Sequence, residues 1–167
     1  PSVVQPVAQL LGCATVAFFQ SRFRVKFPRK ADPVPWHQDV GENNGGLRAD
    51  GTPIPTITVW LSVDGATGAS GGIEVLPGTH TRLWGFHSDL EGHGELRAVD
   101  RARAVTLPAE PGELYLFHSW TLHRSSDNDT AALRSALVLR FAAPEDAIQP
   151  GTEYHLFAAA LGPLADV

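Results

Sequence analysis

The stretch TITVWLSV, residues 56–63, decides the fold class of this chain. β-branched and aromatic residues fill it, which predicts a buried strand, and it is too short for an ordinary helix. Further strand-like segments lie on both sides of it, at residues 14–27, 36–40, 73–76, 105–107, 113–118, 121–125 and 132–141. The 16 Gly and 13 Pro residues supply turns between them. About eight short strands without βαβ alternation predict two stacked antiparallel sheets, a sandwich or jelly roll, with a short helix or an entry segment at residues 3–11.

Composition narrows the possible functions. The 167 residues, 43% of them hydrophobic, suit one compact domain. No apolar run is long enough to span a membrane, and no export leader is visible. The formal net charge of −5 argues against nucleic-acid binding, and the alternating basic residues at 22–30 fit the solvated face of a strand. The single cysteine, Cys13, excludes an internal disulfide and a multi-cysteine zinc site, so the expected compartment is the cytoplasm.

Three of the seven histidines lie two residues before a carboxylate, in His37-Gln38-Asp39, His87-Ser88-Asp89 and His93-Gly94-Glu95. Residues i and i+2 of an extended strand project to the same face, so each motif could offer a nitrogen and an oxygen to one metal ion. The first motif follows an apolar tryptophan in a strand-like segment, whereas the other two lie in a polar stretch. Because metal ligands need rigid support, the first motif is the favoured candidate.

A mononuclear iron site of the two-histidine, one-carboxylate type needs a second imidazole. The candidates are His118 and His123. Arg134 lies eleven residues after His123, across a turn at 126–130. An antiparallel hairpin would bring this guanidinium beside His123, where it could bind a dicarboxylic acid. Arg140 is the alternative for that task.

Several motifs appear in a characteristic order: Trp36-His37-Gln38-Asp39, Thr58-Val59-Trp60, VLPGTH at 75–80, Phe117-His118, His123-Arg124-Ser125, and Arg134. In this order the chain resembles the phytanoyl-CoA dioxygenase (PhyH-like) family, from about residue 18 to residue 141. Members of that family are non-haem Fe(II)- and 2-oxoglutarate-dependent oxygenases. The resemblance implies a mainly all-β fold, a double-stranded β-helix (jelly-roll, cupin-like) core with short peripheral helices.

The resemblance also implies roles for individual residues. His37, Asp39 and His123 would hold Fe(II) and so form the catalytic centre. Arg134 would pair with the far carboxylate of 2-oxoglutarate, and Ser125 would assist it. The positions that flank the cosubstrate in the family correspond to Gln38, Trp60 and Phe19. Substrate contacts are expected from the variable loops and their surroundings, at Asn43, Trp84 and Trp120.

The implied organisation is one oxygenase domain over residues 1–167 that lacks some N-terminal or lid segments of its relatives. The implied reaction uses Fe(II), 2-oxoglutarate and dioxygen to hydroxylate, or otherwise oxidise, a C–H bond of a small molecule. Halogenating relatives carry a small residue in place of the carboxylate, so Asp39 favours hydroxylation. Desaturation, epoxidation, ring formation and halogenation remain alternative outcomes at the same site.

Two further alternatives lie outside the family: a cupin-like metal-dependent isomerase or hydrolase, and a non-catalytic jelly-roll binding module. Arg outnumbers Lys eleven to two, which is typical of a GC-rich bacterial source and suggests a substrate from specialised (natural product) metabolism. The oligomeric state is left open.

Overall fold

The computed structural model describes residues 3–40, 48, 50–84, 101–147 and 155–158. Its strands, in chain order, are β1 (Thr15–Lys26), β2 (Val34–His37), β3 (Ile57–Ser62), β4 (Ile73–Val75), β5 (Val105–Leu107), β6 (Leu114–His118), β7 (His123–Ser125), β8 (Arg134–Ala142) and β9 (His155–Ala158). Its helices are α1 (Val4–Leu11), α2 (Pro144–Ala147) and the 3-10 turns Thr79–Thr81 and Arg101–Arg103.

The strands form two antiparallel sheets, as the sequence predicts. The larger sheet has the order β6-β3-β8-β1-β9, and the smaller sheet has the order β2-β7-β4-β5. Within each sheet, neighbours come from distant parts of the chain; β3, for example, pairs with both β6 and β8. This mainly β architecture of two facing antiparallel sheets with few helices confirms the predicted fold class.

Side chains alternate along each strand, so the two faces of the larger sheet have different surroundings. Ile57 and Val59 of β3 face α1 and pack with Val7 and Ala8 in a hydrophobic cluster. Helix α1 ends at Gly12, whose φ of 68° is the left-handed conformation typical of a helix C-terminus. The alternate β3 residues, Thr58 and Trp60, face a cavity between the two sheets.

Strand β1 departs from the sequence prediction at its buried end. The basic side chains of Arg22, Arg24 and Lys26 line the inter-sheet cavity, and Lys26 is only 4% exposed. The aromatic residues Phe23 and Phe27 are 61% and 55% exposed, and Phe23 also lies at the cavity. The prediction of a solvated basic face is therefore right for Arg24, Arg29 and Lys30, which are exposed, and wrong for Lys26, which is buried against a polar cavity.

Strands β7 and β8 do not form the hairpin expected from the turn at 126–130. Strand β7 pairs with β2 and β4 in the smaller sheet, whereas β8 pairs with β1 and β3 in the larger one. The connection therefore crosses from one sheet to the other. The predicted strand at 36–40 is also displaced, since β2 ends at His37, and β9 was not predicted at all.

Candidate metal centre and cavity

Two imidazoles meet where β2 pairs with β7. His37 and His123 are register partners on the two strands, and their ring centroids are 4.1 Å apart. Each Nδ1 atom lies 2.8 Å from a backbone carbonyl oxygen two residues earlier, that of Pro35 for His37 and that of Thr121 for His123. If each Nδ1 carries the proton and donates it to that carbonyl, each Nε2 has a free lone pair, which is the usual arrangement of metal-binding histidines.

Asp39 completes the cluster from just beyond the end of β2. Its backbone N–H donates to the carbonyl of Ser119 at 2.8 Å, which fixes the chain there. Asp39 Oδ1 lies 3.6 Å from His37 Nε2, and Oδ2 lies 3.7 Å from His123 Nε2. Both separations are too long for good hydrogen bonds. The Thr58 hydroxyl donates to Oδ2 at 3.0 Å, so the carboxylate is oriented by the larger sheet.

The three residues fit a metal ion. Their candidate donor atoms all lie within 4.8 Å of one another. Ligand atoms that share one ion at roughly 2 Å stand roughly 3–4 Å apart, close to the spacings given above. Two imidazoles and one carboxylate on one side of an ion form the donor set of non-haem Fe(II) oxygenases, which keeps the other coordination positions open.

The electrostatics favour the ligand-competent forms. Burial by itself would raise the pKa of Asp39, but the imidazoles of His123 and His37 and the Arg140 guanidinium outweigh it and hold that pKa well below its usual range. Burial, with the nearby His37, lowers the pKa of His123 to about 4. At neutral pH the cluster therefore offers a carboxylate and a neutral imidazole without prior loss of a proton.

The cluster opens into a cavity of about 310 Å³ between the sheets. Apolar side chains form part of its wall, including Trp60, Ile73, Phe117 and Val138. Its charged lining is strongly basic, with only the carboxylates Asp32 and Asp39 against six cationic side chains, Arg22, Arg24, Lys26, Arg124, Arg134 and Arg140. This volume is sufficient for small organic acids beside a metal ion.

Arg134 reaches the cavity from β8, in the sheet opposite His123. It is 2% exposed, and one of its Nη atoms donates to the carbonyl of Gly71. Its Nε atom is buried without a hydrogen-bond partner, and no carboxylate of the described residues pairs with it. Burial lowers its pKa to about 10. A buried guanidinium with so few partners is suited to an incoming carboxylate.

Arg140 has a different environment. One Nη atom donates to Asp39 Oδ1 at 2.5 Å, and the other donates to the Gln20 side-chain oxygen. Arg140 is therefore already paired inside the protein. Between the two arginines of β8, Arg134 is the better placed to bind a free dicarboxylic acid.

The other predicted cosubstrate residues are divided between two places. Ser125 and Trp60 line the cavity. Gln38 points away from it, because its amide donates to the carbonyls of Arg82 and Trp120 at 2.9 and 2.5 Å. Phe19 is not part of the cavity wall.

Phe19 instead packs against Ala17 and Ala142 of the larger sheet and against Ile54, which precedes β3. Its proposed place beside the cosubstrate, like that of Gln38, stays a prediction.

The predicted substrate contacts are not in the cavity wall as described. Trp84 accepts the Arg82 guanidinium over its ring at 3.7 Å and donates its indole N–H to the carbonyl of Thr79. Trp120 packs edge-on against His118. Asn43 lies outside the described residues, as do the motifs at residues 87–89 and 93–95.

Sequence reasoning missed three residues that touch the site. Arg140 was considered only as an alternative to Arg134, and neither Thr58 nor Gln20 was given a task. The alternation of side chains along a strand could have identified Arg140, because it lies six residues after Arg134 and therefore shares its face of the strand. Thr58 shares a face with Trp60 for the same reason.

The chain belongs to the phytanoyl-CoA dioxygenase (PhyH) family, whose sequence model matches residues 1–136. It is 27% identical over 165 residues to L-proline trans-4-hydroxylase of Streptomyces griseoviridis, an alignment that covers 84% of this chain and 59% of that enzyme. It is 26% identical over 152 residues to a phytanoyl-CoA dioxygenase domain-containing protein 1 homolog of Caenorhabditis elegans, covering 83% of this chain and 50% of that protein.

A solved structure of similar fold is EvdO2 from Micromonospora carbonacea var. aurantiaca complexed with 2-oxoglutarate. The TM-score is 0.66 with 26% identity, over 93% of this chain and 59% of that one. The chain thus spans between half and three-fifths of the length of these relatives. Within the described ranges, no helix has the length and apolarity that crossing a bilayer requires.

Proposed function

We propose that this protein is a non-haem Fe(II)- and 2-oxoglutarate-dependent dioxygenase that hydroxylates a C–H bond of a small molecule. One observation carries the proposal: His37, Asp39 and His123 present their donor atoms within 4.8 Å of one another in a cavity that also holds the unpaired Arg134. Family membership supports it independently. The proposal covers a single catalytic domain, residues 1–167, and the cytoplasm as its compartment, consistent with a lone cysteine.

In this proposal His37, Asp39 and His123 hold Fe(II). Bound Fe(II) would supply, together with 2-oxoglutarate and dioxygen, the oxidising power that breaks a substrate C–H bond. The protein's own contribution is orientation. The backbone carbonyls of Pro35 and Thr121 keep both imidazoles turned toward the ion. The hydrogen bond from Thr58 holds the carboxylate in one rotamer.

Arg134 binds the carboxylate of 2-oxoglutarate that is farther from the metal, and Ser125 and Trp60 line the same cavity. A guanidinium can pair with both oxygens of a carboxylate, which fixes the direction of the acid as well as its position. The apolar wall around Phe117 and Val138 limits the water near the reacting groups. These residues would hold the cosubstrate and the metal in one orientation relative to each other.

Asp39 favours hydroxylation over halogenation, because its carboxylate would be a metal ligand at the place where halogenating relatives carry a small residue. Desaturation, epoxidation and ring formation use the same residues. Product mass separates gain of an oxygen atom (hydroxylation or epoxidation) from loss of two hydrogens (desaturation or ring formation), and NMR of the product separates the two members of each pair. L-Proline and other small amino acids are the first substrates to try, since a relative 27% identical is an L-proline trans-4-hydroxylase.

The decisive experiment starts with anaerobic addition of Fe(II) and 2-oxoglutarate. Chelation gives a weak visible absorption band, which we expect for the wild type and not for His37→Ala. Dioxygen and candidate substrates then follow, with succinate release and product mass as readouts. Absence of both the band and stoichiometric metal binding would overturn the proposal and favour a non-catalytic jelly-roll module. Metal binding without the band would favour a cupin-like isomerase or hydrolase.

A further inference from the structure

Lys26 is a buried lysine that the proposed function leaves without a task. It is 4% exposed and lies at the end of β1, facing the same cavity as the candidate metal ligands. Its Nζ donates to the backbone carbonyl of Asp32. A lysine is rarely buried to this degree unless a partner compensates the loss of water around its charge.

The neighbour of Lys26 is another buried cation. Lys26 and Arg134 are register partners on adjacent antiparallel strands, so their side chains leave the sheet side by side on the cavity face. Both line the cavity, and both have backbone carbonyls as their hydrogen-bond acceptors. Among the described residues, no carboxylate forms an ion pair with either of them.

The surroundings hold these two cations in place. Gly71, whose φ is 76°, accepts the hydrogen bond from Arg134 through its carbonyl. A Cβ atom at Gly71 would come within 2.6 Å of Lys26 Cδ. The aliphatic part of the lysine side chain therefore packs directly against this glycine. One turn therefore positions both charges. Burial, and next the charge of Arg134, lower the pKa of Lys26, and the more distant carboxylates of Asp32 and Asp127 offset this only in part.

We propose that Lys26 is a second cationic ligand for the far carboxylate of 2-oxoglutarate and that, with Arg134, it makes the site selective for dicarboxylic 2-oxo acids. This inference rests on the proposed function. A carboxylate placed between the two cations would remove their mutual repulsion and give the orphaned Arg134 Nε a partner. A 2-oxo acid that ends in a methyl group would leave both charges buried and unpaired.

The test compares two ligands and three proteins by anaerobic calorimetric titration in the presence of Fe(II). The ligands are 2-oxoglutarate and 2-oxopentanoate, which has the same chain length but no far carboxylate. The proteins are the wild type, Lys26→Met and Lys30→Met. Lys30 is a matched control because it is an exposed lysine near the end of the same segment and does not line the cavity.

We expect Lys26→Met to weaken 2-oxoglutarate binding by about tenfold or more, in line with the loss of a charged hydrogen-bond donor. Binding of 2-oxopentanoate should be unchanged in the same variant, which also reports that the metal site is still folded. Lys30→Met should bind both ligands as the wild type does. Unchanged 2-oxoglutarate binding by Lys26→Met, or an equal loss for both ligands, would overturn the inference. Failure of the wild type to bind 2-oxoglutarate would instead refute the proposed function itself.

Discussion

Asp39 and Arg140 form a buried ion pair, with Oδ1 of the aspartate 2.5 Å from an Nη atom of the arginine. The two residues lie 101 positions apart and join the end of β2 to β8. The candidate metal carboxylate therefore has a structural task as well. Replacing it should affect folding and chemistry together, in contrast to replacement of a histidine ligand.

We accordingly expect Asp39→Ala to destabilise the protein by about 3–5 kcal/mol, because it leaves the Arg140 charge buried and unpaired. His37→Ala, whose side chain is partly exposed, should cost much less while removing metal binding equally. Urea denaturation of the metal-free proteins measures the difference. The double variant Asp39→Ala/Arg140→Met should recover part of the lost stability. Equal stability of the two single variants would show that the ion pair contributes nothing.

Arg134→Ala should raise the 2-oxoglutarate concentration needed for half-maximal succinate formation by one or more orders of magnitude. The reason is the loss of a charged hydrogen bond of about 1.5–3 kcal/mol. Arg103→Ala serves as the control, since Arg103 is exposed and lies outside the cavity wall. An unchanged 2-oxoglutarate requirement in Arg134→Ala would contradict this role for Arg134 and favour Arg140 as the ligand of the far carboxylate.

Gly71→Ala should destabilise the protein and weaken 2-oxoglutarate binding. Its new Cβ would meet the Ser126 carbonyl at 2.7 Å as well as the stem of Lys26. Gly78 is a close control, because its φ of 80° is similar but a Cβ there meets nothing within 4 Å. Gly78→Ala should therefore cost only the left-handed strain, about 1–2 kcal/mol. Thermal melting measures the stability of the two variants, and calorimetry measures their 2-oxoglutarate binding. Equal losses in both variants would contradict the close packing at Gly71.

Gln38→Ala should lower stability by about 1–3 kcal/mol through lost buried hydrogen bonds, one of them accepted from the Trp84 backbone N–H at 2.8 Å. Its 2-oxoglutarate affinity should stay close to the wild-type value, because the amide is directed away from the cavity. Denaturation and calorimetry on the same preparation separate the two effects. Weaker binding at unchanged stability would instead place Gln38 beside the cosubstrate, as family resemblance implies.

His118 should make folding stability depend on pH. Burial, with the nearby His80, lowers its pKa, and its Nδ1 accepts a hydrogen bond from the Trp120 backbone N–H at 3.0 Å. The unfolded chain therefore binds the proton more readily, so stability rises with pH across the interval between the lowered pKa and the ordinary value near 6.5.

His118→Gln should remove this contribution, and its stability should fall less than that of the wild type as the pH drops below about 6.5. Urea titrations at several pH values compare the two proteins. Identical pH profiles would mean that protonation of His118 does not oppose folding.

How far the sequence predicts the structure depends on what each strand faces. The central strand was predicted at residues 56–63 and observed at Ile57–Ser62, because both of its faces are covered by side chains. The burial of Lys26 at the end of β1 was not predicted, because the strand lies against a polar cavity there. Periodicity assigns side chains to one face or the other, but it does not say which face lines a polar interior.

The candidate site shows the same division. Local spacing was enough to select His37 and Asp39, because their donor atoms come from neighbouring positions. The Arg140 contact could not be predicted, since it depends on how β8 packs over the end of β2. The position of Arg134 relative to His123 likewise required the crossing between sheets, which no local turn pattern encodes.

The cross-strand pairing of His37 with His123 ties the metal to the architecture of the smaller sheet. A slip of one residue between β2 and β7 would turn one imidazole out of the cluster. An ion bound by both imidazoles would therefore stabilise the observed register of β2 and β7 relative to every shifted register. Metal binding would then raise the resistance of the protein to heat and proteolysis. Removal of the metal by a chelating agent would destabilise the smaller sheet before the rest of the protein.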